Sequence, residues 1–361
     1  MTLHRSPLYT IAATGGSEFI ERHGWELPAA YTDPGSEYQS AISAVAVYDA
    51  SHMGRLKITG ADALDLLNRL STNMVADLEP GQGAPTILTT DRGRILDVII
   101  VLNAGDHTLL LTSPGTQQSV IEFLDRYTIM EDLTVEDVSS STAMLAMWGP
   151  DSGTFLEKDI GAAICALPLN HTLLADVGGC QVRVVACSMS DLLGFYLICP
   201  TGAAEPVWQQ LVDAGAAPMG NEAYEAVRVR YGVPVHGSEM GEDYNPLEAG
   251  LIGSIDFTKG CYIGQEVIAR LDTYEKVQKY LVKLAFAPGA EVAPGTILQS
   301  EGKAVGKVTS VATDPSTGEV IGLAYVRTQL GVVGTRLQLE PPSGDWAEIQ
   351  GLPQLFGPEQ G

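Results

Sequence analysis

The segment with the most chemical content runs Asp256-Phe-Thr-Lys-Gly-Cys-Tyr-Ile-Gly-Gln-Glu266 and continues Val-Ile-Ala-Arg-Leu-Asp272. Gly260 and Gly264 free the backbone on either side of Cys261, and Gln265 to Asp272 reads as the opening of a helix. A thiol just ahead of a helix N-terminus feels the positive end of the helix dipole. Lys259 adds a second cation nearby. Both favour thiolate, the form required of a nucleophile, a redox centre or a soft-metal ligand. The plainer reading of the same residues is a small side chain filling a tight turn. Cys165, Cys180, Cys187 and Cys199 lie in apolar runs and read as core. Five cysteines without a CxxC pair make neither a disulfide framework nor a zinc knuckle.

Asp97 is the second candidate, a carboxylate opening the run Val-Ile-Ile-Val-Leu102. A carboxylate buried there needs partners. It can accept N–H groups of a ligand, act as a base, or oppose a developing cation. On the solvent face of an edge strand it would do none of these. The third candidate is a basic island of Arg228, Arg230, Lys259, Arg270, Lys276, Lys279 and Lys283, which suits an anionic ligand tail or, alternatively, ordinary ion pairing with Glu266, Asp272 and Glu275. The fourth is Val47–Gly60, "VYDASHMGRLKITG". Asp49, Ser51 and His52 are too close in sequence to converge as a catalytic triad, whereas Met53 is a polarisable residue suited to an aromatic pocket or to the core. Neither GxGxxG nor GxxxxGK[ST] occurs, so dinucleotide and P-loop chemistry have no support.

These residues must be positioned by a mixture of strands and helices. Ser36 to Val45 reads as a helix, Gly54 to Thr59 as a strand, and "ADALDLLNRLST" as a helix with Leu64, Leu67 and Leu70 on one face. "RILDVIIVL" and "HTLLLTS", separated by Asn103 to Asp106, read as a hairpin. Helices are expected at Gln117–Tyr127, from Asp151, at Ala203–Gly215 and at Asn221–Val229. Strands are expected at "STAMLAMWGP", "QVRVVACS" and "FYLICP". There is no strict βαβ alternation, so the class is α+β. From Lys279 onward short β-runs alternate with Gly-rich turns, which predicts a small barrel or sandwich with a boundary near 275–282.

The chain has 361 residues, of which 45% are hydrophobic, enough for a sizeable core and roughly two domains. Its formal charge is −23, which argues against a nucleic-acid partner and against anionic membranes. The longest apolar runs are far short of a bilayer span and the first residues lack a signal-peptide core, so a cytoplasmic location is expected.

Together the motifs resemble a known family. "SPLY" at 6–9, "HGWELPAAY" at 23–31, the block from Val47 to Gly83 and "RGRILDVIIV" at 92–101 are similar to the T protein of the glycine cleavage system, an aminomethyltransferase. "DFTKGCYIGQEVIAR" and "LTTDRGRILD" look like the YgfZ branch of that superfamily, whose members bind tetrahydrofolate and are linked to iron–sulfur cluster maintenance. The resemblance covers nearly the whole chain. It implies a cloverleaf in which residues 1–278 form two interlaced α+β subdomains around a folate site and 279–361 a C-terminal β-barrel. It implies that Asp97 is catalytic and faces the reactive nitrogens of folate, that Met53 lines the pocket, and that Arg228 clamps the glutamate tail. It places Thr112 and Tyr196 at pocket positions where the T protein carries asparagine and glutamate, and Val98 where it carries a second acid. Cys261, Lys259 and Gln265 belong to the YgfZ signature, Cys261 as a second catalytic residue. The implied partners are tetrahydrofolate or a one-carbon derivative and iron–sulfur client or assembly proteins. The expected function is YgfZ-like support of cluster assembly or repair. The alternatives are folate-dependent aminomethyl transfer and an inert scaffold on a folate-binding fold.

Overall fold

The structure, a computed structural model, describes residues 3–161, 163–340 and 345–352. The first strands are β1 (His4–Arg5), β2 (Phe19–Arg22), β3 (Trp25–Pro28), β4 (Ala46–Asp49) and β5 (Gly54–Thr59), with α1 (Tyr9–Thr14) and α2 (Pro34–Ser43) among them. Helix α3 (Ala63–Leu70) precedes β6 (Gly83–Thr89), β7 (Ile95–Asn103), β8 (Thr108–Thr112), α4 (Gln117–Tyr127), β9 (Thr134–Asp137) and β10 (Thr142–Trp148). Next come α5 (Ser152–Ile160), β11 (Thr172–Val177), β12 (Cys180–Met189), β13 (Leu192–Pro200), α6 (Ala204–Asp213), β14 (Ala217–Met219), α7 (Asn221–Tyr231) and α8 (Gln265–Thr273). The C-terminal strands are β15 (Lys279–Phe286), β16 (Ile297–Ser300), β17 (Lys303–Thr313), β18 (Val320–Arg327), β19 (Arg336–Glu340) and β20 (Trp346–Gly351).

The strands make a small sheet β1-β3-β2, a six-stranded sheet β11-β12-β13-β10-β4-β14, a five-stranded sheet β6-β7-β8-β5-β9, and a closed barrel β15-β18-β17-β16-β19-β20. Contacts divide the chain into two units. One contains residues 1–69, 74–86 and 98–224; the other contains 70–73, 87–97 and 225–361. Neither unit is a continuous stretch, and the division cuts β6 after Thr86 and β7 after Asp97.

Local chemistry explains the elements. Pro34 opens α2 and the Asp33 side chain accepts the Ser36 N–H, a standard N-cap. Leu66, Leu67 and Leu70 give α3 its buried face. In the first unit, Val47, Leu145, Met147, Val184 and Leu197 form the inner face of the six-stranded sheet, with Leu156 of α5 and Trp208 and Leu211 of α6 in the same core. The barrel closes around Val282, Leu298, Val308, Ala324, Leu339 and Ile349; β19 alternates buried and exposed residues, whereas β18 also buries Leu323 and Tyr325 on its other face. The sequence reading missed β4, whose four residues are all buried and show no alternation. No helix among the described residues is long and apolar enough to cross a membrane.

Candidate functional site

In the first unit the turn after β4 is organised by Arg55. Its guanidinium is fully buried. It donates to Ser51 O at 3.2 and 3.3 Å, Ser139 O at 2.6 Å, Thr142 O at 3.2 Å, Thr142 Oγ1 at 2.8 Å, and Met53 O. Four backbone carbonyls from two segments therefore converge on one cation. Burial pulls its pKa down to about 10. This fixes the turn that carries His52 and Met53. Ser51 N donates to Asp49 Oδ1 at 3.0 Å and Ser51 Oγ bonds Met144, so Asp49, Ser51 and His52 do not form a triad. Asp49 is buried, and desolvation raises its pKa. Desolvation holds His52 down at about 3, so its imidazole is neutral, and Nδ1 has no hydrogen-bond partner.

An aromatic group lies on the face of the six-stranded sheet opposite its core. Tyr48 of β4 pairs with Ala146 of β10, which pairs with Tyr196 of β13, so these three side chains share a face. Tyr224 of α7 stacks on Tyr48 at 4.2 Å and 6°, His52 meets Tyr48 edge-on, and Trp148 meets Tyr196 edge-on at 5.9 Å. Burial, with Cys187 and Tyr224 adding to it, drives the Tyr196 phenol well above its ordinary pKa. The Trp148 indole N–H is buried without a partner. One orphaned indole donor and one orphaned imidazole nitrogen therefore sit among flat aromatic surfaces. That donor set fits the edge of a planar heteroaromatic ring. Thr112, 1% exposed, ends β8 directly opposite Gly54. A Cβ at Gly54 would lie 2.0 Å from Thr112 Oγ1 and 2.5 Å from Gln117 Cγ, so only glycine lets these residues close on the turn that bears Met53. Met53 itself is half-buried.

In the second unit Asp97 is the third residue of β7 and is 1% exposed, on the face that also buries Ile95. The buried reading of this carboxylate is the one the structure adopts. Arg228 does not stand open as a clamp. It is 4% exposed by side chain and donates to Glu225 at 2.7 and 2.8 Å, Ser310 Oγ at 2.9 Å and Val233 O, with Glu239 at 3.6 Å. The rest of the basic island is also dispersed: Arg230 pairs with Asp314 at 2.8 Å, Lys276 lies over Tyr274, and Lys279 lies over Tyr244 and Tyr325. Glu239, fully buried and bonded by Ser310 Oγ at 2.6 Å, was not singled out by sequence; a lone acid before "MGEDYNP" carries no local signal of its burial.

Lys259 does not aim at Cys261. Its Nζ donates to Ser71 O at 2.9 Å and Asn73 O at 2.5 Å, and desolvation lowers its pKa to about 8. The ammonium thereby fastens the loop to the backbone of residues 71 and 73. The loop has further anchors. Asp256 Oδ1 accepts Thr258 N, Thr258 Oγ1 and Lys259 N, Thr89 Oγ1 donates to Ile263 O at 2.6 Å, and Thr72 Oγ1 donates to Ser254 O at 2.6 Å. Gly264 caps α8 in the left-handed region at φ 83°, and a Cβ there would meet Thr90 O at 2.6 Å. Cys261 is therefore an exposed thiol on a well-anchored loop, three residues before that cap, with Gln265 half-buried at the first position of α8. All five cysteines are free. Cys187 and Cys199 are core, as expected, but Cys165 is exposed and Cys180 half-buried.

Comparisons with known proteins match both parts of the chain. Residues 8–259 match a family model described as the GCVT N-terminal domain, and 279–354 match one described as the glycine cleavage T-protein C-terminal barrel domain. The chain is 33% identical over 353 residues to the Arabidopsis thaliana protein "Putative transferase At1g60990, chloroplastic", covering 97% of this chain and 80% of that one. It is 29% identical over 343 residues to the aminomethyltransferase of a Picosynechococcus species, covering 94% of each. In structure it superposes on the glycine cleavage system aminomethyltransferase T of Bartonella henselae with a TM-score of 0.87 over 98% of both chains at 22% identity, a likeness of fold.

Proposed function

As a member of the glycine cleavage T-protein family, this chain is one that we propose binds tetrahydrofolate and moves a one-carbon unit between that ligand and an amine donor. On this reading residues 1–278 are the ligand-binding region and 279–361 the barrel domain. Tetrahydrofolate supplies the nitrogen that accepts the carbon. The observation that carries the proposal is the buried carboxylate of Asp97, held in β7 of a chain whose relatives include proteins named aminomethyltransferase. A carboxylate at 1% exposure opposes positive charge on a reacting nitrogen far more strongly than one in water. It also accepts a proton from a nitrogen that must shed one. Within the first unit, the aromatic group around Tyr48, Tyr196 and Tyr224 is suited by itself to a flat ring, with the Trp148 N–H buried beside it without a partner. Met53 lies on the Arg55-bound turn, and Thr112 ends the strand that pairs with the residue after it. Asp97→Asn keeps shape and removes charge. Turnover with an amine donor should fall by about 10²–10³-fold, the scale for a lost electrostatic stabiliser, while tetrahydrofolate affinity measured anaerobically by calorimetry changes little. Retained turnover removes the proposal.

A second reading is favoured by one observation, the exposure of Cys261 on its anchored loop. We propose that, if this thiol is the working group, the chain supports iron–sulfur enzymes in the manner of the YgfZ branch. Lys259 and Gln265 then act by shaping the loop, and Arg228 by fixing its own buried network. Cys261→Ala that fully restores cluster-enzyme activity in a deficient strain rules this reading out.

A further inference from the structure

The first unit contains a cleft to which no role has been given above. Its volume is about 270 Å³. One wall comes from the six-stranded sheet, where Leu174, Arg183 and Ile198 stand in a single cross-strand row on β11, β12 and β13. The other comes from the five-stranded sheet, where Lys57 of β5 pairs with Leu109 of β8 and His107 lies two residues away on the same face. The buried guanidinium of Arg55 also lines the cleft, with its N–H groups already spent on carbonyls.

Two of the cations in this cleft have no partner among the described residues. Arg183 and Lys57 have neither a hydrogen bond nor an ion pair among the described residues. Both feel the field of one carboxylate, Asp106, at the exposed tip of the β7–β8 hairpin, so the two groups converge on one place. Asp106 is itself bonded to His107 Nδ1 at 2.7 Å and forms no ion pair with either. Half-burial of Arg183 disfavours its charged form, which is the penalty of a guanidinium held against apolar walls without an acceptor. In a chain of net charge −23, a pocket whose lining holds Arg183, Lys57 and Arg55 and no carboxylate is a local reversal of sign, with Glu136 directly across from Lys57 and Asp106 as its nearby acids.

We propose that this cleft binds a small organic anion, a carboxylate or phosphate ester of metabolite size. Arg183 and Lys57 take its oxygens, and Leu109, Leu174 and Ile198 take its carbon body. A planar guanidinium grips two oxygens of either group at once. The apolar row on each side of Arg183 selects a ligand with carbon behind the charge over a bare inorganic ion. The volume is slightly below the range of drug-sized pockets, which fits a metabolite.

The test is calorimetric titration of the intact protein at low ionic strength with succinate, glycerol 3-phosphate and inorganic phosphate. The expected result is saturable binding of at least one organic anion with Kd below about 1 mM, weakened about tenfold or more by Arg183→Met and severalfold by Lys57→Met. Lys303→Met, an exposed lysine of the barrel that changes net charge equally, leaves it unaltered. If Arg183→Met does not fold, Lys57→Met decides the outcome. No saturable heat from either organic anion overturns the proposal. So does binding that both cleft variants leave within twofold, or inorganic phosphate binding as tightly as the organic anions.

Discussion

Arg55 offers the sharpest test of how the candidate site is held together. Arg55→Met keeps most of the side-chain volume and deletes every donor. Thr142 Oγ1 and the carbonyls of Ser51, Met53, Ser139 and Thr142 then lose a charged partner. Each hydrogen bond to a charged group contributes about 1.5–3 kcal/mol, and an orphaned buried acceptor costs about 1–3 kcal/mol. Shared acceptors and relaxation of the turn keep the sum below simple addition, and about 4 kcal/mol is the expected loss. Against an m-value of about 3 kcal/mol/M this lowers the urea midpoint by about 1.3 M. Tryptophan fluorescence reports it, because Trp148 and Trp208 are buried in the same unit. Arg55→Lys, with three donors in place of five, should recover part of the loss. A midpoint shift below about 0.3 M for Arg55→Met would refute the claim that this cation anchors the turn.

Three further outcomes follow from particular groups. Burial holds His52 at about 3, below its ordinary 6.5, so the unfolded chain takes up a proton that the folded chain refuses. The stability from neutral His52 is complete above about pH 6.5 and drains as pH falls toward about 3, by up to about 1.4 kcal/mol per pH unit. His52→Gln should flatten that slope in urea titrations across the range, and an unchanged slope counts against it. Gly264→Ala should destabilise the start of α8 by about 2 kcal/mol or more, because φ of 83° and a Cβ 2.6 Å from Thr90 O strain it twice; an unchanged melting temperature contradicts this. With a thiol reagent near pH 8, Cys261 should label rapidly and Cys199, buried and pushed up to about 11, should not label until the protein unfolds. Rapid labelling that persists at full amplitude in Cys261→Ser would contradict that assignment.

Much of the fold was legible because its elements carry their own signals. The recurring leucines marked α3, though its buried face takes Leu66 in place of the expected Leu64; the Asn103–Asp106 turn marked the hairpin, and the change of texture at Lys279 marked the barrel, whose first strand begins there. Silent elements had no contrast to read. β4 is buried on both faces, and β6 is buried continuously from Pro85 to Thr89. In β7 both alternating sets are apolar, so periodicity could not say which face Asp97 shares. The residues alone marked it as a candidate with a solvent-facing alternative open, and only the resemblance of its flanking residues to a known family favoured the buried reading. The site suffered most from distance. Nothing near Lys259 announces that its ammonium belongs to Ser71 O, 188 residues earlier. Nothing near Arg228 announces Ser310, 82 residues later. Arg55 reads as the polar member of an ordinary half-buried strand, and its five acceptors are gathered only when the chain has folded.

The interleaving of the two units also sets a timetable for biosynthesis. Residues 70–73 and 87–97 leave the ribosome early, yet their partners Ser254, Lys259 and Ile263 are 182, 188 and 174 residues away. At about 5–20 residues per second, those partners arrive roughly 10–40 s later. For that interval the stretch through Ile95 lacks these fastenings in its own unit, and β6 and β7 are held only by their sheet neighbours. A premature stop before Ser254 would leave that stretch without its fastenings indefinitely, so truncated products of this gene should be substrates for chaperones and proteases, not half-active fragments.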